Sequence, residues 1–135
     1  MGYPTKYYYY ALLTPDPDGG YTVEFPDVRG AITHGDTVPE ALEKAKDALA
    51  IVLAYMEEQK EAIPAPSEYG QIAREDGQLV QLVDVFMPPY RKDETKAVRK
   101  TVTMPKWLRD AGEEKDLNFS AILQEALKEA LGLDK

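Results

Sequence analysis

The 135-residue sequence contains no cysteine, one histidine and one tryptophan. Without thiols there is no disulfide scaffold, thiolate metal site or cysteine nucleophile, and a lone His34 cannot build a clustered-histidine metal centre. No cofactor is implied. No apolar run approaches the roughly 18 to 20 residues needed to cross a bilayer, and the opening Met1-Gly2-Tyr3-Pro4-Thr5-Lys6 lacks a signal-peptide core. A soluble, cytoplasmic chain with no membrane partner is expected. The apolar fraction of 44% excludes disorder throughout and suits one ordinary domain or two small ones.

Charge is plentiful but unevenly placed. Acidic residues number 24 against 16 basic, for a net charge of -8. Residues 1–90 hold six Lys and Arg against fifteen Asp and Glu, whereas 91–135 hold ten against nine. Within the tail, Arg91, Lys92, Lys96, Arg99, Lys100 and Lys106 face only Asp93 and Glu94. An acidic body repels nucleic acid and suits a basic protein partner, while a short basic segment can still attract phosphate. The plainer alternative is a pair of solvated faces.

The acidic part reads as α+β. Lys6 to Thr14 and Tyr21 to Phe25 are strand-like, joined by the turn-forming Pro15-Asp16-Pro17-Asp18-Gly19-Gly20, and Gly30 to His34 supplies a third strand of a meander. Thr37-Val38-Pro39-Glu40 then forms a capping box with proline tolerated in the first helical turn. Leu42, Ala45, Leu49, Val52 and Met56 make the apolar stripe of the helix that follows, with Glu43, Lys46, Asp47, Glu57 and Glu58 largely off it. That helix must stop before Ile63-Pro64-Ala65-Pro66. Leu79 to Phe86 reads as a fourth, well-covered strand. Met87-Pro88-Pro89-Tyr90 and the charges after it resist regular pairing, which puts a linker at 88–95 between domains 1–87 and 96–135.

The tail reads strand, helix, helix. Ala97 to Met104 alternates, Pro105 opens a helix to about Lys115 that offers Trp107, Leu108 and Ala111 to a core, and Asn118 caps a second helix whose apolar face ends at Gly132. A single strand has two open edges, and some 40 residues bury too little apolar surface to be stable alone. Antiparallel pairing of two such tails across a two-fold axis answers both problems.

The pattern Arg99-Lys100-Thr101-Val102-Thr103-Met104-Pro105, followed by Leu117-Asn118-Phe119-Ser120 and an amphipathic helix, resembles the ribbon-helix-helix DNA-binding family over about Lys96 to Leu133. That resemblance implies a dimeric β-ribbon in the major groove and a helix N-terminus on a backbone phosphate. Alternation puts Val98, Val102 and Met104 on one face and Arg99, Thr101 and Thr103 on the other, so the latter three are the base-reading candidates. Lys96, Lys100, Asn118, Phe119 and Ser120 are the phosphate-binding candidates, although Lys100 departs from a strictly apolar inner face. Val102, Met104, Leu108, Ile122, Leu123 and Leu127 form the expected dimer core.

Gly20-Tyr21-Thr22-Val23-Glu24-Phe25-Pro26-Asp27, Gly30, Thr33-His34-Gly35-Asp36-Thr37, Glu40-Ala41-Leu42 and Ile63-Pro64-Ala65-Pro66-Ser67, joined to that tail, resemble HicB-type antitoxins across nearly the whole chain. The resemblance implies a partial RNase H-like body that masks HicA, a small basic RNA-cleaving toxin, and a tail that represses the operon at its operator. It implies a homodimer, with tetramerisation through the body left open, and no enzymatic activity. A solitary repressor without a toxin is the alternative. A degenerate metal nuclease would need convergent carboxylates, yet Asp16, Asp18, Glu24, Asp27 and Asp36 are separated by turns. His34, with no matched nucleophile, reads as a turn residue rather than a general base. Tyr7-Tyr8-Tyr9-Tyr10 could stack bases, but in acidic surroundings it reads as a strand covered by the helix and a neighbouring subunit.

Overall fold

The computed structural model describes residues 2–133. The chain divides into two compact units, Met1–Ala97 and Val98–Lys135. The first is a four-stranded antiparallel sheet, β1 (Lys6–Pro15), β2 (Tyr21–Glu24), β3 (Ile32–Gly35) and β4 (Leu79–Phe86), in the order β3-β2-β1-β4. One long helix, α1 (Val38–Glu58), covers one of its faces.

The β1–β2 turn closes because Gly19 and Gly20 adopt φ of 104° and 80°, a region open to glycine, and the Asp16 amide donates to the Gly20 carbonyl at 3.0 Å. Odd-numbered β1 residues point to the helix. Tyr7, Tyr9, Ala11 and Leu13 are buried there beside Val83 and Val85 of β4, which lie opposite Tyr9 and Tyr7 in the ladder. Tyr8 points the other way and is exposed. The tyrosine run is therefore covered by the helix on one face only. β4 is also less covered than expected: it is an edge strand, with Val83 and Val85 buried but Leu79 and Leu82 exposed. Its apolar composition signals two apolar faces, and only one of them meets the helix.

The start of α1 is capped as its sequence predicts. The Thr37 hydroxyl accepts the Glu40 amide at 3.2 Å, while Glu40 reaches back to the Asp36 amide at 2.5 Å. Gly35 lets the first turn sit close to β3, since a Cβ there would lie 2.4 Å from the Ala41 nitrogen. The helix is closed by Gln59 and by Lys60 just beyond it in the left-handed region (φ 58°), with the Glu61 amide donating to the Met56 carbonyl.

The buried line on α1 is Ala41, Ala45, Leu49, Leu53 and Glu57. Of the expected stripe, Ala45 and Leu49 lie on it, while Leu42, Val52 and Met56 flank it, partly buried. Small side chains occupy the line of closest approach, so a reading weighted to bulky residues is displaced by a fraction of a turn. Glu57, expected off the stripe, is the corrected position. It lies four residues after Leu53 and is 7% exposed.

That carboxylate is fully engaged. Arg91 Nε and a terminal guanidinium nitrogen donate to its two oxygens at 2.9 Å each, and the Tyr7 hydroxyl donates to Oε2 at 2.7 Å. Arg91 also donates to the Pro4 carbonyl at 2.6 Å. Burial, followed by the bond to Glu57, pushes the Tyr7 hydroxyl above its ordinary pKa, and the bond to Glu57 raises that of Arg91. The segment 88–95 is drawn onto the helix by this pair, by Tyr90 donating to Asp47 at 2.5 Å, and by Lys92 against Glu58 at 3.3 Å. Short 3₁₀ turns at Pro88–Tyr90 and Lys92–Glu94 occupy this segment, without strand pairing.

In the second unit, α2 (Lys106–Glu114) and α3 (Phe119–Ala130) match the expected helices closely. Asp116 at φ 56° and the Leu117 amide donating to the Gly112 carbonyl turn the chain between them. The expected strand Ala97–Met104 has no strand structure. A strand is defined by its ladder, and no neighbouring segment among the described residues pairs with it.

All nine tyrosines precede residue 91 and the one tryptophan is Trp107, so two fluorescence signals report the two units separately. Glu57→Ala leaves the Arg91 guanidinium and Tyr7 hydroxyl without their acceptor, and should lower the stability read from the tyrosine signal in urea by about 3 kcal/mol. The pair Glu57→Met with Arg91→Met should recover part of that loss, because no unpaired charge then remains.

Candidate functional site

Two groups of residues merit attention as sites: the carboxylates and His34 of the body, and the basic segment with the helix start of the tail. The first group is occupied by local structure. Asp16 accepts the Thr22 hydroxyl at 3.0 and 3.2 Å and lies 2.9 Å from His34 Nε2. The His34 ring rests over Gly20, where a Cβ would come within 2.7 Å of it. Asp27 accepts both the amide and the hydroxyl of Ser67 at 2.7 Å, which pins the loop after α1 to the turn after β2. Among the described residues no group of three or more His, Asp or Glu side chains could share a metal ion. Asp16, His34 and Asp27 thus hold turns and loops.

The second group is exposed. Arg99, Thr101 and Thr103 are open to solvent, as is Lys100. Lys96, at the end of the body unit, pairs with Asp93 at 3.5 Å, both side chains largely in water, where such a pair contributes little. Arg99 and Lys100 form no ion pair among the described residues. The remaining phosphate-binding candidates lie at the start of α3. Asn118 Oδ1 accepts the Ala121 amide at 3.0 Å, and the Ile122 amide is taken by the Asn118 carbonyl. The Phe119 and Ser120 amides, at the positive end of the helix dipole, have no intrahelical acceptor available to them.

Phe119 has a second role that composition does not reveal. Its ring packs over Gly112 of α2, so closely that a Cβ there would sit 2.7 Å from two ring atoms. A glycine inside a helix costs stability, and that anomaly is the signal that could have exposed this packing.

The apolar candidates share one property. Val102, Leu108, Ile122 and Leu127 are exposed, the last two at 52% and 51%, and Met104 and Leu123 are only partly covered. None of the described residues 98–133 is buried. This short unit has two amphipathic helices, the second capped by Asn118, but no buried core of its own.

The chain is thus a small α+β body followed by a unit of two amphipathic helices. A family model described as "HicB_like antitoxin of bacterial toxin-antitoxin system" matches residues 9–116, and the chain belongs to that family. It is 51% identical to Antitoxin HicB of Escherichia coli K12 over 59 residues, which is 44% of this chain and 43% of that protein. Antitoxin HicB 1 of Photorhabdus laumondii is 48% identical over 63 residues, or 47% of this chain and 41% of the relative. The matched stretches thus span less than half the length of these curated relatives.

Solved structures extend the likeness. A toxin–antitoxin complex from Streptococcus pneumoniae contains a chain 27% identical to this one, with a TM-score of 0.59, covering 93% of this chain and 99% of that one. The antitoxin HicB of Burkholderia pseudomallei, 20% identical, shares the fold with a TM-score of 0.53 over 93% of this chain and 98% of the other. No helix among the described residues is long and apolar enough to cross a membrane.

The cap at α3 makes a local prediction. Asn118→Ala removes the acceptor of the Ala121 amide and should destabilise the tail by about 1 kcal/mol, read from the Trp107 signal.

Proposed function

We propose that this chain is the antitoxin of a cytoplasmic toxin–antitoxin pair, acting without catalysis through two divided tasks. The body, ending near Ala97, binds and masks a HicA-like, small basic RNA-cleaving toxin. The tail dimerises and binds operator DNA to repress its own operon. Membership of the HicB-like antitoxin family over residues 9–116 is the observation that carries the reading. The Streptococcus pneumoniae relative, matched over nearly its whole length, was solved in a complex titled as toxin–antitoxin.

The physics of the tail supports the DNA-binding half. A unit with no buried residue and with exposed Val102, Ile122 and Leu127 on its strand-like segment and helix gains a core by pairing with a second copy. The same pairing supplies a ladder partner for Ala97 to Met104 and presents Arg99, Thr101 and Thr103 twice, as two-fold operator recognition requires. The Phe119 and Ser120 amides offer hydrogen-bond donors, and Lys96 and Lys100 offer positive charge, of the kind that binds phosphate.

The body's electrostatics suit the other half. Residues 1–97 carry nine basic and seventeen acidic side chains. Such a surface accelerates encounter with a basic partner and keeps the body from competing for RNA.

Growth arrest by the HicA-type toxin of the same operon, relieved on co-expression of this chain, tests the masking role; continued arrest would refute it. Arg99→Ala should weaken operator binding by about 1 to 3 kcal/mol while leaving relief from the toxin intact. Equal loss of both would contradict the division of tasks. Leu127→Asp places a charge where the dimer core forms, so sedimentation should show monomers and gel-shift assays no operator complex. A monomeric variant that still binds the operator fully would sink the ribbon assignment.

A further inference from the structure

An antiparallel sheet covered on one face ordinarily turns a polar face to water. The uncovered face of this sheet is not polar. Ladder partners share a face, so Tyr8, Tyr10 and Leu12 of β1, Val80, Leu82 and Phe86 of β4, and Ile32 of β3 all lie opposite α1. Tyr8 is 50% exposed, Leu82 45% and Ile32 59%, while Leu12 is buried and Tyr10, Val80 and Phe86 are partly covered. The loop after α1 adds Tyr69, half exposed, whose ring meets Tyr10 edge-on at 5.7 Å. Aromatic side chains of this kind are enriched at the centres of protein interfaces, because they bury much area at small cost in conformational freedom.

The charges on the same face select the partner. Asp84 lies opposite Tyr8, Glu24 is opposite both Leu12 and Ile32, and Glu68 adjoins Tyr69. Asp84 is itself met by Lys6 at 3.5 Å and by Lys46 of α1 at 3.7 Å, and Arg74 sits 5.3 Å over the Tyr69 ring, so the exposed Glu24 and the acidic balance of the unit as a whole carry the selection. A second copy laid on this face across a two-fold axis would bring acidic groups towards their own kind, an unfavourable pairing. A basic protein would instead meet complementary charge around an apolar centre. The opposite side of the unit offers less, since the outward face of α1 exposes only Ile51 and Tyr55 as large apolar groups.

We infer that the uncovered face of the sheet, centred on Tyr8, Tyr10, Leu82 and Tyr69, is the surface that the basic toxin covers. This assignment rests on the proposed antitoxin function and adds to it the location of the contact.

The test uses the full chain and the purified HicA-type toxin of the same operon, with affinity measured by titration calorimetry. Leu82→Arg and Tyr8→Arg should each weaken toxin binding by about 30-fold or more, as expected for charge placed at the centre of an apolar contact. Their tyrosine-monitored unfolding midpoints and operator affinities should match those of the unaltered chain. Glu24→Lys, at an exposed position that needs no repacking, should slow association by about threefold to tenfold at low salt and less at high salt. Tyr55→Arg, on the helix side, should leave toxin affinity within about threefold of normal, as for a residue outside the contact.

Toxin binding undiminished in Leu82→Arg and unaffected by Glu24→Lys would overturn the assignment while leaving the antitoxin function standing. So would an equal loss in Tyr55→Arg. A change in self-association of Leu82→Arg without any change in toxin affinity would give the face to a second copy instead. Failure of the unaltered chain to bind the toxin would overturn the function itself, and this assignment with it.

Discussion

Glu57 is the only charged side chain buried among the described residues, and the architecture of the body turns on how its charge is met. Its carboxylate gathers three otherwise separate parts of the chain: Tyr7 from the first strand, its own helix, and Arg91 from the segment after the last strand. Withdrawing a carboxylate from water costs several kcal/mol, and the offset comes from a two-pronged guanidinium and a hydroxyl that together satisfy both oxygens. Such a cluster adds little net stability over a hydrophobic replacement. What it adds is a requirement that Arg91 occupy one place. The chain leaving β4 is therefore held to the helix through Ala97 instead of escaping at Pro88, and Tyr90 and Lys92 reinforce the same path.

Much of this fold is legible from local chemistry. The Thr37 cap, the glycine-closed hairpin, the limits of β4 and the Asn118 cap each depend on residues within a few positions of one another, where side-chain type and spacing carry the whole cause. Glu57 was not legible because its carboxylate is conspicuous by type, while its burial depends on Arg91, 34 residues away. Phe119 against Gly112 and Tyr69 against Tyr10 are hidden for the same reason: both are tertiary contacts brought about by turns or loops. The covered status of β4 was misjudged because composition reports that a strand has two apolar faces without reporting what lies against each.

The candidate sites divide along the same line. The candidate base-reading and phosphate-binding residues follow from alternation and from a helix start, both local, and all but the partly buried Phe119 are exposed. The segment Ala97 to Met104 is different in kind. Its expected strand needs backbone partners, and its apolar side chains need a core, which no residue of 98–133 supplies by being buried. In the proposed dimer the association would precede the fold, because the free energy that orders the strand would arise only when a second strand lies beside it.

An acidic antitoxin that binds DNA needs its charges separated along the chain as well as balanced. A body with nine basic and seventeen acidic residues repels a duplex, and this repulsion falls off over about 8 Å at physiological salt. In the proposed operator complex, contacts by Arg99, Thr101 and Thr103 at base-edge distance would act well inside that range, so a compact basic segment could prevail locally while the body stays unfavourable to nucleic acid. The same separation gives toxin masking a consequence for DNA. On the proposed reading, a basic protein seated on the body would remove part of the repulsion without touching the DNA-binding segment, and the two tasks would be coupled through long-range charge alone. That coupling weakens as salt rises, in contrast to one transmitted through packed side chains.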